Sequence, residues 1–468
     1  MNIEKRNKNF IDRDKLYSLL EGKAPSETEL NSILNKALKL KGLSLGEVAM
    51  LLKVEDVKDI QKIMDVAHTV KEEIYGKRLV LFAPIYTGNV CCNNCTYCSF
   101  RKDNHLIERK ILSFEEIEQE TSALLRQGHK RVLLICGENR KNDTEYMCEA
   151  IRRVYGVREH NGRDYIRRIN IELAPMEVED FRKLHEQKIG TYVCFQETYD
   201  PVLYKKFHPA GTPKADYEYR LTVMDRAQEG GINDIGIGAL LGLVDYRFEV
   251  LAMMEHAHHL EECYGVGPHT VSVPRLEPAI GAPDSENVPN RVSDEDFKKL
   301  VAIIRIALPY TGMILSTREG AKMRNELINY GISQISAGSR TNPGAYAEEE
   351  RNTGSQFSLS DERSMEDVIN SFIDEGYIPS FCTGCYRKGR VGEDFMDLAK
   401  PGLIKQYCLP NAIFTFQEYL NDFASEKTKQ RGMQLIKQML QEYDQKQLIP
   451  KIENNLKEIN NGQRDLYF

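Results

Sequence analysis

From Leu79 to Ser336 the chain alternates apolar, β-branched segments with amphipathic helical ones, and the alternation repeats eight times. A strand that is regained through a helix runs parallel to the one before it, so this rhythm restricts the sheet to parallel strands with helices outside. The predicted strands are Leu79–Pro84, Arg131–Cys136, Arg168–Leu173, Thr191–Gln196, Asp234–Ala239, Thr270–Val273, Met313–Ser316 and Ser333–Ser336. Helix boundaries are legible between them. Ser113-Phe114-Glu115-Glu116 fits a capping box, Ser293 precedes DEDFKKLVAIIRIAL, and Gly128, Gly190, Gly230 and Gly265 stand where helices should end. Eight βα units in about 260 residues is the size of a (β/α)8 TIM barrel, an α/β fold. An open or partial barrel shares the same periodicity.

The barrel takes up residues 75–345. Before it, residues 1–74 carry helical periodicity in LNSILNKALKL, SLGEVAMLL and DIQKIMDVAHTVKEEI, with no strand, and read as an N-terminal helical segment. After Ser339 a polar stretch, SRTNPGAYAEEERNTGSQFSLSDERS, reads as a connecting loop more than a packed element. Residues 346–468 then form a mainly helical C-terminal domain, with a helix near Met365–Asp374 and others in FTFQEYLNDFA and KTKQRGMQLIKQMLQEY.

Several function classes are excluded early. The chain has a net charge of -7 and no arginine- or lysine-rich block, which argues against nucleic acid as a partner. No apolar run is long enough to span a membrane. The charged N-terminus lacks the apolar core of a secretory signal, so the protein is expected in the cytoplasm with reduced thiols.

Eleven cysteines in such a chain point to metal or catalysis before disulfides. Cys91, Cys92, Cys95 and Cys98 crowd into eight residues, Cys382, Cys385 and Cys408 form a second group, and Cys136, Cys148, Cys194 and Cys263 are scattered like small buried hydrophobes. The first group follows the first strand, on the barrel face where chemistry is usually placed. Cys91, Cys95 and Cys98 give CX3CX2C, three thiolates that can hold three irons of a cubane and leave the fourth open. Cys92, adjacent to Cys91, points elsewhere and reads as a bystander. Structural zinc is the alternative, although it usually shows paired CxxC units and four N or S ligands. Cys382, Cys385 and Cys408 have the spacing CX2CX22C, again three thiolates. No histidine follows His269, so zinc there would import its fourth ligand, whereas a second cubane with an open iron needs none.

The remaining strand ends are polar. Glu172 ends the third strand, Gln196 and Glu197 the fourth, and Arg275, Arg318, Ser339 and Arg340 follow the last three. Guanidinium forks converging on one rim would suit a carboxylate-bearing substrate.

CX3CX2C with Tyr97 just before its last cysteine resembles the radical S-adenosylmethionine (radical SAM) superfamily, and Gly137-Glu138 at the end of the second strand matches its GGE motif, with Cys136 in place of the first glycine. Within the superfamily the chain is similar to the aromatic amino acid lyases, most closely the FeFe-hydrogenase-maturing tyrosine lyases. The likeness runs from about Lys71 to Phe423, through FAPIYTGNVCCNNCTYCSF, GTYVCFQETYD, GVGPHTVSVPRLEPA and GISQISAGSRTNPG, and on to CTGCYRKGRVGEDFMDLAKPGLIKQYCLPNA beyond the barrel.

The resemblance implies a SAM-binding 4Fe-4S cluster on Cys91, Cys95 and Cys98, an auxiliary 4Fe-4S cluster on Cys382, Cys385 and Cys408, and an additional labile iron with His269 as ligand. It makes Tyr97, Gly137, Glu138, Arg168, Glu172, Gln196 and Glu197 the candidate SAM-binding residues, and Arg318, Ser339 and Arg340 the candidate catalytic ones. The implied reaction cleaves the Cα–Cβ bond of L-tyrosine to p-cresol and dehydroglycine, and the latter becomes CO and cyanide on iron at the second cluster. Implied partners are a low-potential electron donor and hydrogenase maturation scaffold proteins. Two other readings stay open: a tyrosine or tryptophan lyase of another pathway, such as a thiamine-type 2-iminoacetate synthase, and a non-catalytic iron–sulfur carrier.

Overall fold

A computed structural model of the chain describes residues 9–348, 354–390, 392–399 and 405–468. Eight parallel strands follow one another in chain order: β1 (Arg78–Gly88), β2 (Arg131–Cys136), β3 (Arg168–Glu172), β4 (Tyr192–Val193), β5 (Ile235–Gly238), β6 (Thr270–Ser272), β7 (Gly312–Leu315) and β8 (Gln334–Ser336). The ring closes because β2 and β8 both pair with β1, Ala83 opposite Val132 on one side and Val80 opposite Gln334 on the other. The fold is the expected closed barrel with helices around it.

Two strands differ most in length from their sequence pattern. β1 continues four residues further, to Gly88, because it is long enough to serve three neighbours. β4 shortens to two residues, yet Cys194 and Gln196 still donate backbone hydrogen bonds to β5 at 3.1 and 3.0 Å. The chain then turns away at Glu197, which adopts a left-handed conformation (φ 70°).

A ninth strand, β9 (Ile378–Ser380), lies parallel to the N-terminal residues Arg78–Val80 of β1. Three residues containing a proline give no periodic signal, and Pro379 is tolerated because a sheet edge leaves one side without ladder bonds. The segment after residue 345 thus contributes to the barrel sheet. Its helices include the expected Met365–Asp374, followed by Lys405–Asp422, Glu426–Glu442 and Ile449–Asn460. The N-terminal segment is helical as expected, with one helix more than its periodicity showed, Arg13–Glu21. It is tied to the barrel by Leu43 N donating to Ala307 O (3.3 Å) and Lys299 Nζ to Val54 O (3.2 Å). Among the described residues no helix is long and apolar enough to cross a membrane.

Period-two alternation decides what faces where. On β1, Leu79, Leu81, Ala83 and Ile85 are fully buried in the main core, each burial worth about 1.5–3 kcal/mol for the larger side chains. Phe82, Pro84 and Tyr86 point into the barrel. Helix caps follow the sequence at Ser113, whose hydroxyl and Glu116 form the reciprocal box, and at Ser293, Gly230 and Gly265. Gly190 has a different role: a Cβ there would overlap the guanidinium of Arg168.

Candidate active site

The C-terminal mouth of the barrel carries the first cysteine group. After Gly88 the chain leaves the sheet, and Arg109 staples the loop by donating to the carbonyls of Asn89 and Phe100 at 2.8 and 2.9 Å. Cys95 is buried, and Cys91 and Cys98 are half-buried. Asn93 donates to Cys91 Sγ from its backbone (3.5 Å) and side chain (3.7 Å), and the same amide reaches Glu138 Oε2 at 2.6 Å. Gly137 presses on this loop so closely that a Cβ would stand 2.5 Å from Val90 O, so the end of β2 needs glycine there. Burial raises Cys92, Cys95 and Cys98 in pKa, Cys98 up to about 12, and a bound metal would remove the protons of Cys95 and Cys98.

Sulfur spacing bears on the choice of metal. Among the described residues, the trio with donor atoms all within 4.8 Å is Asp225, His259 and Cys263, a buried core contact in which His259 Nε2 is 2.8 Å from Asp225 Oδ1. Both cysteine trios are more open than that. A single tetrahedral zinc with Zn–S near 2.3 Å would hold its sulfurs about 3.8 Å apart, so the spacing suits a cluster better than one ion.

The expected cofactor residues divide. Glu138 lies beside the cysteine loop, with its carbonyl accepting from Cys92 N at 2.7 Å. Tyr97 is buried and its hydroxyl meets His208 Nε2 at 2.9 Å. Glu197 is buried against Lys214 (2.6 Å) and Arg220 (3.6 Å), and these cations outweigh the burial that by itself would raise its pKa, leaving it lowered. Glu172 faces the barrel interior, where burial, then Glu197, raises it to about 7. Gln196 turns outward, its amide 3.5 Å from Tyr217 O. Arg168 corrects the expectation most clearly. It begins β3 and Glu172 ends it, so it sits at the opposite mouth, paired with Asp234 at 3.2 Å and stacked on Tyr386.

Below the cysteine loop the interior is open, with about 810 Å³ of non-protein space including its upper opening. Its wall is built from alternate residues of the strands, among them Asn170, Glu172, Ser272, Ser316 and Ser336. Gly238 on β5 leaves room for Phe195, whose ring would lie 2.8 Å from a Cβ. Arg318 enters this cavity with its guanidinium carbon 3.4 Å from the centre of the Phe357 ring. The buried Ser336 and Ser339 hydroxyls have no protein partner, which is the provision expected for a polar ligand.

The three arginines do not converge. Arg275 is held by Glu319 (Nε–Oε1 2.8 Å) and by Asp294. Arg340, next along an extended chain from the inward Ser339, points the other way and is exposed in an outer cleft with Glu362 and Tyr419. Sequence reasoning missed Lys214, Arg220, Gln356 and Phe357. The last two belong to the stretch read as a connecting loop, yet both line the cavity; its apolar Tyr346 and Phe357, both buried, were the available signal.

The second cysteine group closes the N-terminal mouth. β9 delivers Cys382, the short helix Gly384–Arg387 Cys385, and the helix Lys405–Asp422 the buried Cys408. Arg131 donates to Cys382 O at 2.8 Å, and the half-buried Arg78 lines the same cavity as all three cysteines, with its Nε lacking a protein partner. Guanidinium groups here would balance the negative charge of a thiolate-bound cluster. His269, just before β6, lines the same cavity, with Nε2 3.1 Å from the Tyr386 hydroxyl. Its pKa is lowered by burial, so its ring is neutral. Gln334 lines both this cavity and the barrel interior.

Two family models match, the radical SAM superfamily over residues 85–257 and the Biotin and Thiamin Synthesis associated domain over 272–378. The chain is 29% identical over 383 residues to 2-iminoacetate synthase of Salmonella typhimurium, covering 80% of this chain and 96% of that protein. A solved structure of HydG, described as a maturase of the [FeFe]-hydrogenase, superposes with a TM-score of 0.95 at 48% identity over 98% of this chain and all of that one. The HydG of Carboxydothermus hydrogenoformans gives 0.82 at 40% identity, covering 95% and 97%. Likeness of this extent, spanning both mouths of the barrel, places the chain in the radical SAM superfamily and, within it, in the HydG family.

Proposed function

We propose that this enzyme cleaves the Cα–Cβ bond of L-tyrosine to p-cresol and dehydroglycine in the barrel, and that dehydroglycine is converted to CO and cyanide on iron at the N-terminal mouth for FeFe-hydrogenase assembly. The observation that carries the reading is a second open cysteine trio, with His269, lining a cavity at the N-terminal mouth that shares Gln334 with the barrel interior, while the first trio stands at the opposite mouth. When bound, SAM and the 4Fe-4S cluster that go with this superfamily supply a 5′-deoxyadenosyl radical.

The chain's own residues then have definable tasks. Cys91, Cys95 and Cys98 hold the first cluster. The Gly137 and Glu138 carbonyls and the Glu138 carboxylate accept hydrogen bonds from an ammonium group, with Tyr97 and Glu197 shaping that pocket. Arg318, against the Phe357 ring, offers its fork to the substrate carboxylate, and Ser339 offers a hydroxyl. Glu172, held near 7, exchanges a proton near neutral pH. Cys382, Cys385 and Cys408 hold the auxiliary cluster, and His269 the labile iron. The reading requires a low-potential electron donor and a maturation scaffold as partners.

The test is an anaerobic reaction of the reconstituted protein with SAM, tyrosine and dithionite, assayed together for p-cresol and for CO trapped by reduced haemoglobin. Both products are expected. The 80% overlap with 2-iminoacetate synthase favours a second reading, a tyrosine lyase of that type, which p-cresol without CO would select.

A further inference from the structure

We propose that the side-chain amide of Gln356 donates a hydrogen bond to the Cys98 sulfur and thereby raises the reduction potential of the first cluster, with the Tyr86 hydroxyl holding the amide in that orientation. The inference rests on the reading of Cys91, Cys95 and Cys98 as cluster ligands. Gln356 Nε2 lies 3.9 Å from Cys98 Sγ, and Tyr86 donates to Gln356 Oε1 at 2.8 Å. A thiolate only accepts, so the NH2 end of the amide must face it, which leaves the oxygen for the tyrosine.

The residue is fixed on its main chain as well. Gln356 N donates to Thr341 O at 2.9 Å, and Gln356 O accepts from the hydroxyl of Ser99, Cys98's neighbour, at 2.8 Å. The Tyr86 ring meets Phe100 edge-on, with centroids 6.0 Å apart. Gln356 and Tyr86 also line the barrel cavity, so the amide stands between the cavity and the sulfur.

Reduction adds an electron to an already negative cluster, and an N–H dipole aimed at a ligand sulfur stabilises the more negative state. Asn93 treats Cys91 in the same way, but from within the cysteine loop. Gln356 comes from beyond the barrel. The electron affinity of the cluster is thereby coupled to the packing of that segment over the cavity.

The experiment is an anaerobic redox titration of the full-length reconstituted protein, following the paramagnetic resonance signal that responds to SAM. In Gln356→Leu and Gln356→Glu the reduced-to-oxidised ratio at a fixed potential is expected to fall about tenfold, about 59 mV for one electron, and further for Glu, which adds charge. The near-isosteric Glu variant keeps the comparison available if Leu disturbs folding. Spin-echo modulation from protein labelled with 15N at the glutamine amide should be present in the native protein and lost in both variants. A native potential in fully loaded variants, or no 15N coupling in the native protein, overturns the proposal. Retention of the SAM-responsive signal in Cys98→Ala would instead overturn the ligand assignment beneath it.

Discussion

Replacing Arg318 with methionine should selectively weaken the binding of a substrate carboxylate. The guanidinium carbon stands 3.4 Å from the centre of the Phe357 ring and the side chain lines the cavity, and although burial lowers its pKa an arginine stays charged. A fork makes two charge-assisted hydrogen bonds, each worth about 1.5–3 kcal/mol. Losing both from a half-buried site should cost about 3 kcal/mol, over a hundredfold in KM for tyrosine at about 1.4 kcal/mol per decade. Arg318→Lys keeps the charge but loses the fork and the stacked face, and should cost about half as much. The control is tyramine, tyrosine without its carboxylate, measured as an inhibitor of p-cresol formation. Its Ki should be nearly the same for the native and Arg318→Met enzymes. A tyrosine KM that does not move, or an equal loss for tyrosine and tyramine, would refute the assignment.

Two further outcomes follow from buried charges elsewhere. Lys214→Met leaves Glu197 with Arg220 alone at 3.6 Å, and should destabilise the protein by about 2–3 kcal/mol, below the full cost of an unpaired buried charge; Lys214→Met with Glu197→Gln should recover most of it in a denaturation double-mutant cycle. Glu120 is buried, accepts from the backbone of Tyr346 and Ala347 at 2.9 and 2.7 Å, and is raised by burial from 4.5 to about 7. A folded pKa above the unfolded one means that its stability contribution is complete below pH 4.5 and is lost as pH rises to about 7, by about 3 kcal/mol in all. Glu120→Gln should therefore gain Tm relative to the native protein across that window and hold the gain above it; a pH-independent difference would contradict the burial argument.

The barrel was legible because apolar segments recur eight times between amphipathic helical ones, and a buried parallel strand reads as a continuous apolar run, as Leu79 to Tyr86 shows. What escaped has specific causes. β9 is three residues with a proline, too short for periodicity. Arg168 begins its strand and Glu172 ends it, and in a parallel barrel that order alone assigns Arg168 to the N-terminal mouth; grouping both as cofactor residues overlooked it. Arg318 and Arg340 follow neighbouring strands, yet Arg340 lines an outer cleft although Ser339, the residue before it, lines the interior. Gln356 and Phe357 were hidden in a polar stretch whose packing depends on the cavity beneath it. The cysteines needed no such help, since their spacing is itself the geometric statement.

A barrel interior is ordinarily filled by layers of branched apolar side chains. Here Asn170, Glu172, Ser272, Ser316, Gln334 and Ser336 occupy inward positions, where an unpaired polar group costs about 1–3 kcal/mol by the mutational scale. A chain selected only to close a barrel would replace them with valine or isoleucine. Asn170 accepts from Thr191 N at 3.0 Å and Ser316 from Arg318 N at 3.4 Å, but the buried Ser336 hydroxyl has no protein partner, which is intelligible if a polar ligand satisfies it. Ser336→Val then separates the alternatives. Stabilisation of the ligand-free protein with a loss of substrate affinity fits a ligand-lined interior, whereas destabilisation with affinity unchanged would show that the hydroxyls serve the fold alone.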